Sequence, residues 1–562
     1  MSSPDINSTR AQVSRAAIQR LHIAMRHLFI RGSYKPLGVS GEAIINAMLE
    51  LKPEIYGSIA DPETVELDGL LYIFQRLPQG IEECRYIKLI AREGYENSFP
   101  AIVSNKRRRD CYRIDEEQMY IEMTRGASDI YDVLTHLTFM FNEAEKIRVN
   151  GMDSKGRQKR EWLKLVEFVE QRDQVENFDH AIGLTYLSAL LGRTYDETTV
   201  AVKKFAKAKK QSDLFDIVYW LGKHSFEEFY EKRDREISFS STLRAKSGHH
   251  IHGDLWAKGI KGYLHKANLF EKTIHIISSN LHSVMNCFYA KAALDKKLKI
   301  DSLLEVAEEL SIGTNKDLRS VVEDYALKNG MVEIQDQSAS NIGVQIFECD
   351  KMDSSFFPKE LTCKLDNKHD NSIILVMDYA FGEQAYELMD ELLKPIEIGD
   401  KSIHLNIASI NIMGKAGILE GNKGDIMIPN AHVFEGSADN YPFENIMDVS
   451  IFEGSGLNIY KGPMVTVLGT SLQNRDILRY FYKSSWKSIG LEMEGAHYQK
   501  AIQSASKIRK SINENVELRY AYYASDNPLE TGGTLSSGAL GKMGVRPTYL
   551  ITLGILNGIL KD

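Results

Sequence analysis

The 562-residue sequence is poor in cysteine: Cys84, Cys111, Cys287, Cys349 and Cys363 are scattered, odd in number and never in C-x-x-C spacing. That excludes a disulfide framework and a cysteine-based zinc site, and predicts reduced thiols in a cytoplasmic protein. The opening MSSPDINSTR has no apolar core, so no secretory signal peptide is expected there. No uninterrupted apolar run nears the roughly 18–20 residues that cross a bilayer, so no membrane partner is expected. Positive charge is not in excess. With 69 lysines and arginines against 77 aspartates and glutamates the net charge is −8, which argues against a broad nucleic-acid surface. No repeat at a fixed period is present, which disfavours a solenoid.

What is there is ordinary globular material. Apolar residues make up 43% and charged residues 26%, enough for real cores, and the length suggests two to four domains. The basic runs Lys106-Arg107-Arg108-Arg109 and 155-KGRQKR-160 read as solvated loop charge, with phosphate binding as the alternative. Residues 1–335 read as a mainly α-helical N-terminal region of one or two subdomains. In 11-AQVSRAAIQRLHIAMRHLFI-30 the residues Val13, Ala16, Ala17, Leu21, Ile23, Ala24 and Leu28 recur at helical spacing. Ser40 reads as an N-cap for 41–51, and Pro53 closes that helix. Segments 128–147, 159–171 and 266–294 continue the pattern. Residues 336–370 read as a strand (342–349) and a polar connector. From 371 to 562 short apolar runs alternate with helical segments, which predicts an α/β domain with a mixed, mostly parallel sheet flanked by helices. Strands are expected at 373–378, 403–411, 424–429, 463–469, 517–525 and 548–556, and helices at 382–393, 474–485 and 495–512.

Within this last domain, 488-SIGLEMEGAHYQKAI-502 sets Glu492 and Glu494 around Met493. Two carboxylates suit the positive end of a helix, and they also suit a ligand site at the end of a buried strand. In a strand they share a face, and near a helix N-terminus at least one stays ionised and can accept from paired hydroxyls. In 523-YASDNPLETGG-533, Asp526 ends an aromatic strand; partial burial would raise its pKa and fit it as a general acid. Glu383, just after the 373–378 strand, is a third carboxylate at a strand end. Gly414, Gly417, Gly421 and Gly424 lie in 411-NIMGKAGILEGNKGDIMIP-429, between two expected strands, where backbone amides can approach a sugar or phosphate. Glycine turns between strands are common, so that signal alone is weak. His249, His250, His252 and Asp254 offer a His-x-His spacing without a remote ligand and read as loop histidines, so no metal is expected. The tyrosines of 520-YAYY-523 read as strand packing, with base stacking as the alternative.

Taken in order, GKAGILEGNKGDIMIP, FEGSADNY, GLEMEGAHY and YASDNPLE resemble the nucleoside phosphorylase/nucleosidase superfamily over roughly residues 371–560. The Asp-x-Pro-Leu continuation looks most like AMP nucleosidase, which also carries an extra N-terminal domain. The resemblance implies that Glu494 binds the ribose 2′- and 3′-hydroxyls with Met493 packed under the sugar. It implies that Asp526, supported by Ser525, protonates the purine at N7, and that Glu383 activates water. Glu492, Gly414, Lys415 and Gly417 complete the implied substrate-binding set. The sequence departs from the pattern in three ways: 506-SKIRKSINENVELR-519 lengthens the interval from Glu494 to Asp526; Lys415 stands where small residues are usual; and no arginine pair for inorganic phosphate is evident. Arg475 and Arg546 are candidates for it but read equally as surface residues. These departures favour hydrolysis, with Lys415 contacting a 5′-phosphate. The expected activity is therefore hydrolysis of the base–ribose bond of a purine nucleoside or nucleotide, AMP-like for preference. A phosphate-dependent phosphorylase and a catalytically silent nucleotide sensor are the alternatives. No cofactor is implied, and a homo-oligomer is expected by analogy.

Overall fold

One segment decides how the chain divides. Residues 266–294 have the look of a single helix, but in the computed structural model their middle, Thr273–Ser278, is a strand. Four of its six residues, Thr273, Ile274, Ile276 and Ile277, are β-branched and lose side-chain freedom in a helix. The helix begins only at Leu281, where the Asn280 side chain caps it by accepting the Ser283 N–H at 2.9 Å. Thr273–Ser278 lies inside the principal sheet, parallel to Ser372–Met377 on one side and to Ile407–Ile418 on the other. The division expected near 335 and 371 is thereby corrected, because a central strand of the α/β unit comes from well before it.

The structure describes residues 9–106, 109–172, 180–207, 212–248, 250–298, 300, 302–362, 365, 369–398, 401–437, 439–530 and 540–561. The chain forms two units. The first comprises residues up to Thr124, Asp129–His249 and Ser471–Ile477; the second comprises Arg125–Ser128, His250–Thr470 and Leu478 onward. Arg107, Arg108, His249 and Cys363, which figure in the sequence reading, lie outside the described residues.

Helices alone do not describe the first unit. It contains a six-stranded sheet in the order Ser33–Tyr34, Glu236–Phe239, Tyr86–Ile90, Gln118–Glu122, Asp110–Arg113, Ile102–Val103. These strands are two to five residues long, too short to show an alternation in the sequence. Its first helix, Arg10–Arg31, starts in a capping box between Thr9 and Gln12. That helix buries Ser14, Ala17, Ile18, Leu21, Met25 and Leu28, whereas Ile23, expected on the same face, is 64% exposed. Ser40 is not the cap of the next helix, Glu42–Leu51; its hydroxyl accepts from Arg31 instead.

The second unit is layered helix–sheet–helix. Ile373, Leu375 and Met377 join one apolar cluster, while Ile374 and Val376 join another. Both faces of that strand are buried, hence its unbroken apolar run. One face carries helices Ile251–Lys266, Gln384–Leu392 and Gly495–Gln503; the other carries Leu281–Leu294, Leu303–Ser311, Lys316–Lys328 and Val545–Ile559. The last of these replaces the strand expected at 548–556. It is enclosed nearly all round, so no polar face betrays its helical period. The sheet is mixed, not mostly parallel: among the described residues antiparallel pairs are as many as parallel ones. Five strands close a ring, Ile407–Ile418 to Gly490–Glu492, Ile459–Thr466, Ile426–Phe434, Glu517–Asp526 and back.

Candidate active site

Strands Thr273–Ser278, Ser372–Met377, Ile407–Ile418 and Glu517–Asp526 run parallel, so their C-terminal ends share one edge. Ligands of open α/β sheets bind at such an edge. On the long strand Ile407–Ile418, Gly417 is in register with Asp526 on one side and Leu491 on the other. Adjacent strands are about 4.8 Å apart, so the two carboxylate-bearing segments are held on the order of 10 Å from each other.

Glu494 ends up off the strand, as the N-cap of Gly495–Gln503. It is buried. Its Oε1 accepts the Gly382 N–H at 3.0 Å and its Oε2 the Met493 N–H at 3.2 Å. Gly382 adopts φ +56°, and a methyl placed there would lie 2.5 Å from Ser128 Cβ and Oγ and 3.8 Å from Met493 Cε. Ser128 Oγ in turn accepts the Glu383 N–H at 2.9 Å. Glycine at 382 is therefore required twice, by its backbone angle and by its neighbour. Gly382→Ala is expected to lower stability by about 1–3 kcal/mol, read by thermal melting. An unchanged melting temperature would contradict this.

Glu492 does something other than face a ligand. It is fully enclosed: the Thr466 hydroxyl donates to its Oε1 at 2.5 Å, and the N–H groups of Glu494 (2.5 Å) and Gly495 donate to its Oε2. His432 Nδ1 lies 3.4 Å from Oε1. Burial pushes its carboxyl up, but the contact and charge of His432, with the Thr466 hydroxyl and the Gly495 N–H, outweigh burial and hold it below the ordinary range. Its place in the expected substrate-binding set is corrected accordingly: the strand stops at Glu492, so the two glutamates no longer share a face. Glu492 pins the turn that presents Glu494.

Asp526 keeps the strand-end position expected of it. Ser525 Oγ lies 2.5 Å from its Oδ1 and 3.0 Å from the Ala416 carbonyl oxygen. Its Oδ2 is buried and has no hydrogen-bond partner among the described residues. Burial pushes the carboxyl up, opposed by the Ser525 hydroxyl and the charges of Lys415 and Lys423. Lys415 is on the strand, not in a loop, in register with Tyr523. It is exposed and lines a cavity of about 1130 Å³ together with Asp378, Tyr523, Asn280 and Gln345.

The glycines separate by role. Gly414 and Gly417 lie inside the Ile407–Ile418 strand, and only Gly421 and Gly424, with φ +115° and +90°, form the turn. A side chain at 414 would meet the Tyr379 hydroxyl at 2.6 Å and the Tyr522 ring at 2.9 Å, so the position is small to admit two tyrosines. Glu383 is the N-cap of Gln384–Leu392 and, like Glu494 and Asp526, does not itself line the cavity. One turn on, Glu387 is pushed from the ordinary 4.5 to about 8 by burial, with the charges of Glu383 and Glu391 adding to it. A carboxyl raised in the folded state favours folding below its unfolded pKa, and that contribution is lost as pH rises through the folded value. Glu387→Gln is thus expected to flatten the decline in melting temperature between about pH 5 and 8; a parallel profile in mutant and wild type would refute it.

Other sequence signals resolve into structure. His252 Nδ1 pairs with the Ser338 carbonyl at 2.7 Å, Asp254 with Lys258 at 2.7 Å, and Arg546 donates to the Ser455 carbonyl at 2.6 Å. Arg475 lies 3.9 Å from Glu54. Among the described residues no group of three or more His, Cys, Asp or Glu side chains is placed to hold a metal, and no helix is long and apolar enough to cross a membrane. Sequence reasoning passed over Asp378, Gln345, Ser128, His432 and Thr466. Asp378 alone had a signal, since like Asp526 it directly follows a buried strand.

Fold and site together define a mixed α/β protein with buried carboxylates gathered at one edge of its sheet. The chain belongs to the family described as a family of unknown function (DUF6909), which matches residues 42–315 and 311–561. No curated protein matches it. Among solved structures it is similar to a futalosine hydrolase mutant of Helicobacter pylori strain 26695, at 10% identity over 52% of this chain and 100% of that one, with a TM-score of 0.31. It is also similar to the Campylobacter jejuni 5′-methylthioadenosine/S-adenosylhomocysteine nucleosidase, at 9% identity over 52% and 100%, TM-score 0.31. The Streptococcus pneumoniae nucleosidase with the transition-state inhibitor MT-ImmA is 12% identical over 51% and 99%, TM-score 0.31.

Proposed function

We propose that the second unit hydrolyses the N-glycosidic bond of a purine nucleoside or nucleotide, with an AMP-like substrate favoured. The observation that carries the reading is the contrast between two buried carboxyls flanking one strand. Glu494 is held by two backbone N–H groups, which favour its ionised form, whereas Asp526 is pushed up by burial and keeps one oxygen unpartnered. Cleavage of the bond builds positive charge on the ribosyl ring and negative charge on the departing base. An anion at the sugar and a proton donor at the base stabilise opposite ends of that transition state. Glu494 accepts from the ribose hydroxyls, Met493 packs against the sugar, and Asp526 protonates the base. Lys415, beside Asp526 and exposed to the cavity, suits an anionic substituent on the substrate.

The test is chromatographic detection of free base from AMP, adenosine, methylthioadenosine, inosine, guanosine and uridine, each with and without inorganic phosphate. Release without phosphate is the expected result and names the substrate. Release only with phosphate replaces hydrolysis by phosphorolysis. Binding without release from any of them overturns the enzymatic reading in favour of a sensor.

A further inference from the structure

We propose that Asp378, in place of Glu383, is the general base that activates the attacking water, with Gln345 as its partner in holding that water; this rests on the N-glycosidase reading above. Asp378 is the first residue after the buried Ser372–Met377 strand, whose last residue, Met377, is level with Ser278 and Ile412, while Asp526 ends a parallel strand further along, opposite Gly417. Its Oδ1 accepts the Tyr379 N–H at 2.9 Å, which fixes the carboxylate, and the half-buried side chain lines the 1130 Å³ cavity beside Lys415. Glu383, Glu494, Met493 and Asp526 do not line it themselves; the charge of Lys415 reaches Asp526 from it, and Glu494 and Asp378 both act on the Tyr498 hydroxyl.

Gln345 supplies the independent observation. It is nine-tenths buried, lines the same cavity, and its Oε1 has no hydrogen-bond partner among the described residues. A buried amide oxygen without a donor is costly, on the order of 1–3 kcal/mol, unless water or a ligand satisfies it. The strand register places it suitably. Gln345 pairs antiparallel with Val376, and the Asp378 N–H reaches the Gly343 carbonyl at 3.0 Å, extending the same ladder. Side chains two apart share a face, so Gln345 and Asp378 are diagonal cross-strand neighbours at roughly 7–8 Å, a span one water bridges.

A water in that span donates one proton to the Asp378 carboxylate and the other to Gln345 Oε1, which leaves an oxygen lone pair for the sugar. As the O–C1′ bond forms, the proton passes to Asp378. The C1′–N bond breaks with its electron pair going to the base, which takes a proton from Asp526. Water and the nucleoside yield the free sugar and the neutral base; one proton moving from Asp378 to Asp526 through solvent resets the site. Burial pushes the Asp378 carboxyl up, while the Tyr379 N–H and the charge of Arg125 oppose it, a balance suited to a base that must take and return a proton. Lys415, Lys316, Arg319, His282, Glu323 and Glu333 are the other ionisable groups lining the cavity, apart from tyrosine.

The experiment measures steady-state base release from the substrate found for the wild type, with Asp378→Asn, Asp378→Gly, Gln345→Ala and Glu383→Gln compared at matched thermal stability. Asp378→Asn should lower kcat by about 10²–10⁴-fold with KM within about threefold. Sodium azide, a nucleophile that needs no base, should restore base release to Asp378→Gly with a glycosyl azide as product. Glu383→Gln should stay within about tenfold of wild type. Full activity in Asp378→Asn, or a larger loss in Glu383→Gln without azide rescue of Asp378→Gly, overturns the assignment while leaving the nucleosidase reading intact. A wild type that releases no base from any substrate overturns both.

Discussion

Asp526→Asn is expected to lower kcat/KM for base release by about 10²–10⁴-fold, or about 3–5 kcal/mol of transition-state stabilisation. Asparagine keeps the shape of the side chain and its neighbours but has no carboxyl proton to deliver. Substrate affinity should move only a few-fold, because the lost contact strengthens as charge develops on the base. The sign of the pH dependence follows from the cause of the shift. Burial raises the Asp526 carboxyl, so the protonated acid persists above the ordinary aspartate range, and activity declines as pH rises through that raised value. The same shift sets the stability effect. A group raised in the folded state favours folding below its unfolded pKa, and that contribution disappears as pH rises through the folded one. Replacement by a neutral amide removes the neutral-pH penalty, so the mutant should melt at or above the wild-type temperature while losing its activity. Steady-state kinetics and melting curves on one preparation check both. A mutant with the wild-type rate would remove Asp526 from the chemistry.

Glu492→Ala is expected to be the most damaging single change to the stability of the second unit, at about 3–5 kcal/mol. The wild-type carboxylate is fully enclosed and answers the Thr466 hydroxyl, two backbone N–H groups and His432; truncation leaves all of them buried without an acceptor. Because its folded pKa is depressed, its contribution is present above the ordinary 4.5 and is lost as pH falls through the folded value. The difference between wild type and mutant should therefore be largest near neutrality and shrink in acid. Urea unfolding at pH 7.5 and at pH 4 measures this. A loss under about 1 kcal/mol at neutral pH would show that the turn before Gly495 is held by something other than this carboxylate.

The two predictions assign opposite roles to two glutamates that the sequence sets side by side. Read as a strand, Glu492-Met493-Glu494 points both carboxylates the same way. The strand ends at Glu492, and one residue of helix entry turns Glu494 toward Gly382 while Glu492 stays inside. Asp526 was legible because an apolar-aromatic run followed by an acid and a proline marks a strand end in any fold. Asp378 carries the same mark, yet its relation to Gln345 depends on strand pairing across 33 residues, which no local pattern encodes.

By itself the sequence determined the elements whose periodicity is strong: the helix Arg10–Arg31, the buried strand Ser372–Met377, and the strand end at Asp526. Those depend on interactions within a few residues, which a local pattern can carry. Tertiary structure decided the rest. It made Thr273–Ser278 a central strand by giving its β-branched side chains two buried faces, and it kept Val545–Ile559 a helix by enclosing it nearly all round. It also sorted the carboxylates into a structural one at Glu492, one held by backbone N–H groups at Glu494, a buried acid at Asp526 and a half-buried one at Asp378. That sorting depends on burial and on donors distant in sequence, such as Thr466, Gly382 and His432, and proximity between remote residues exists only once the chain is packed.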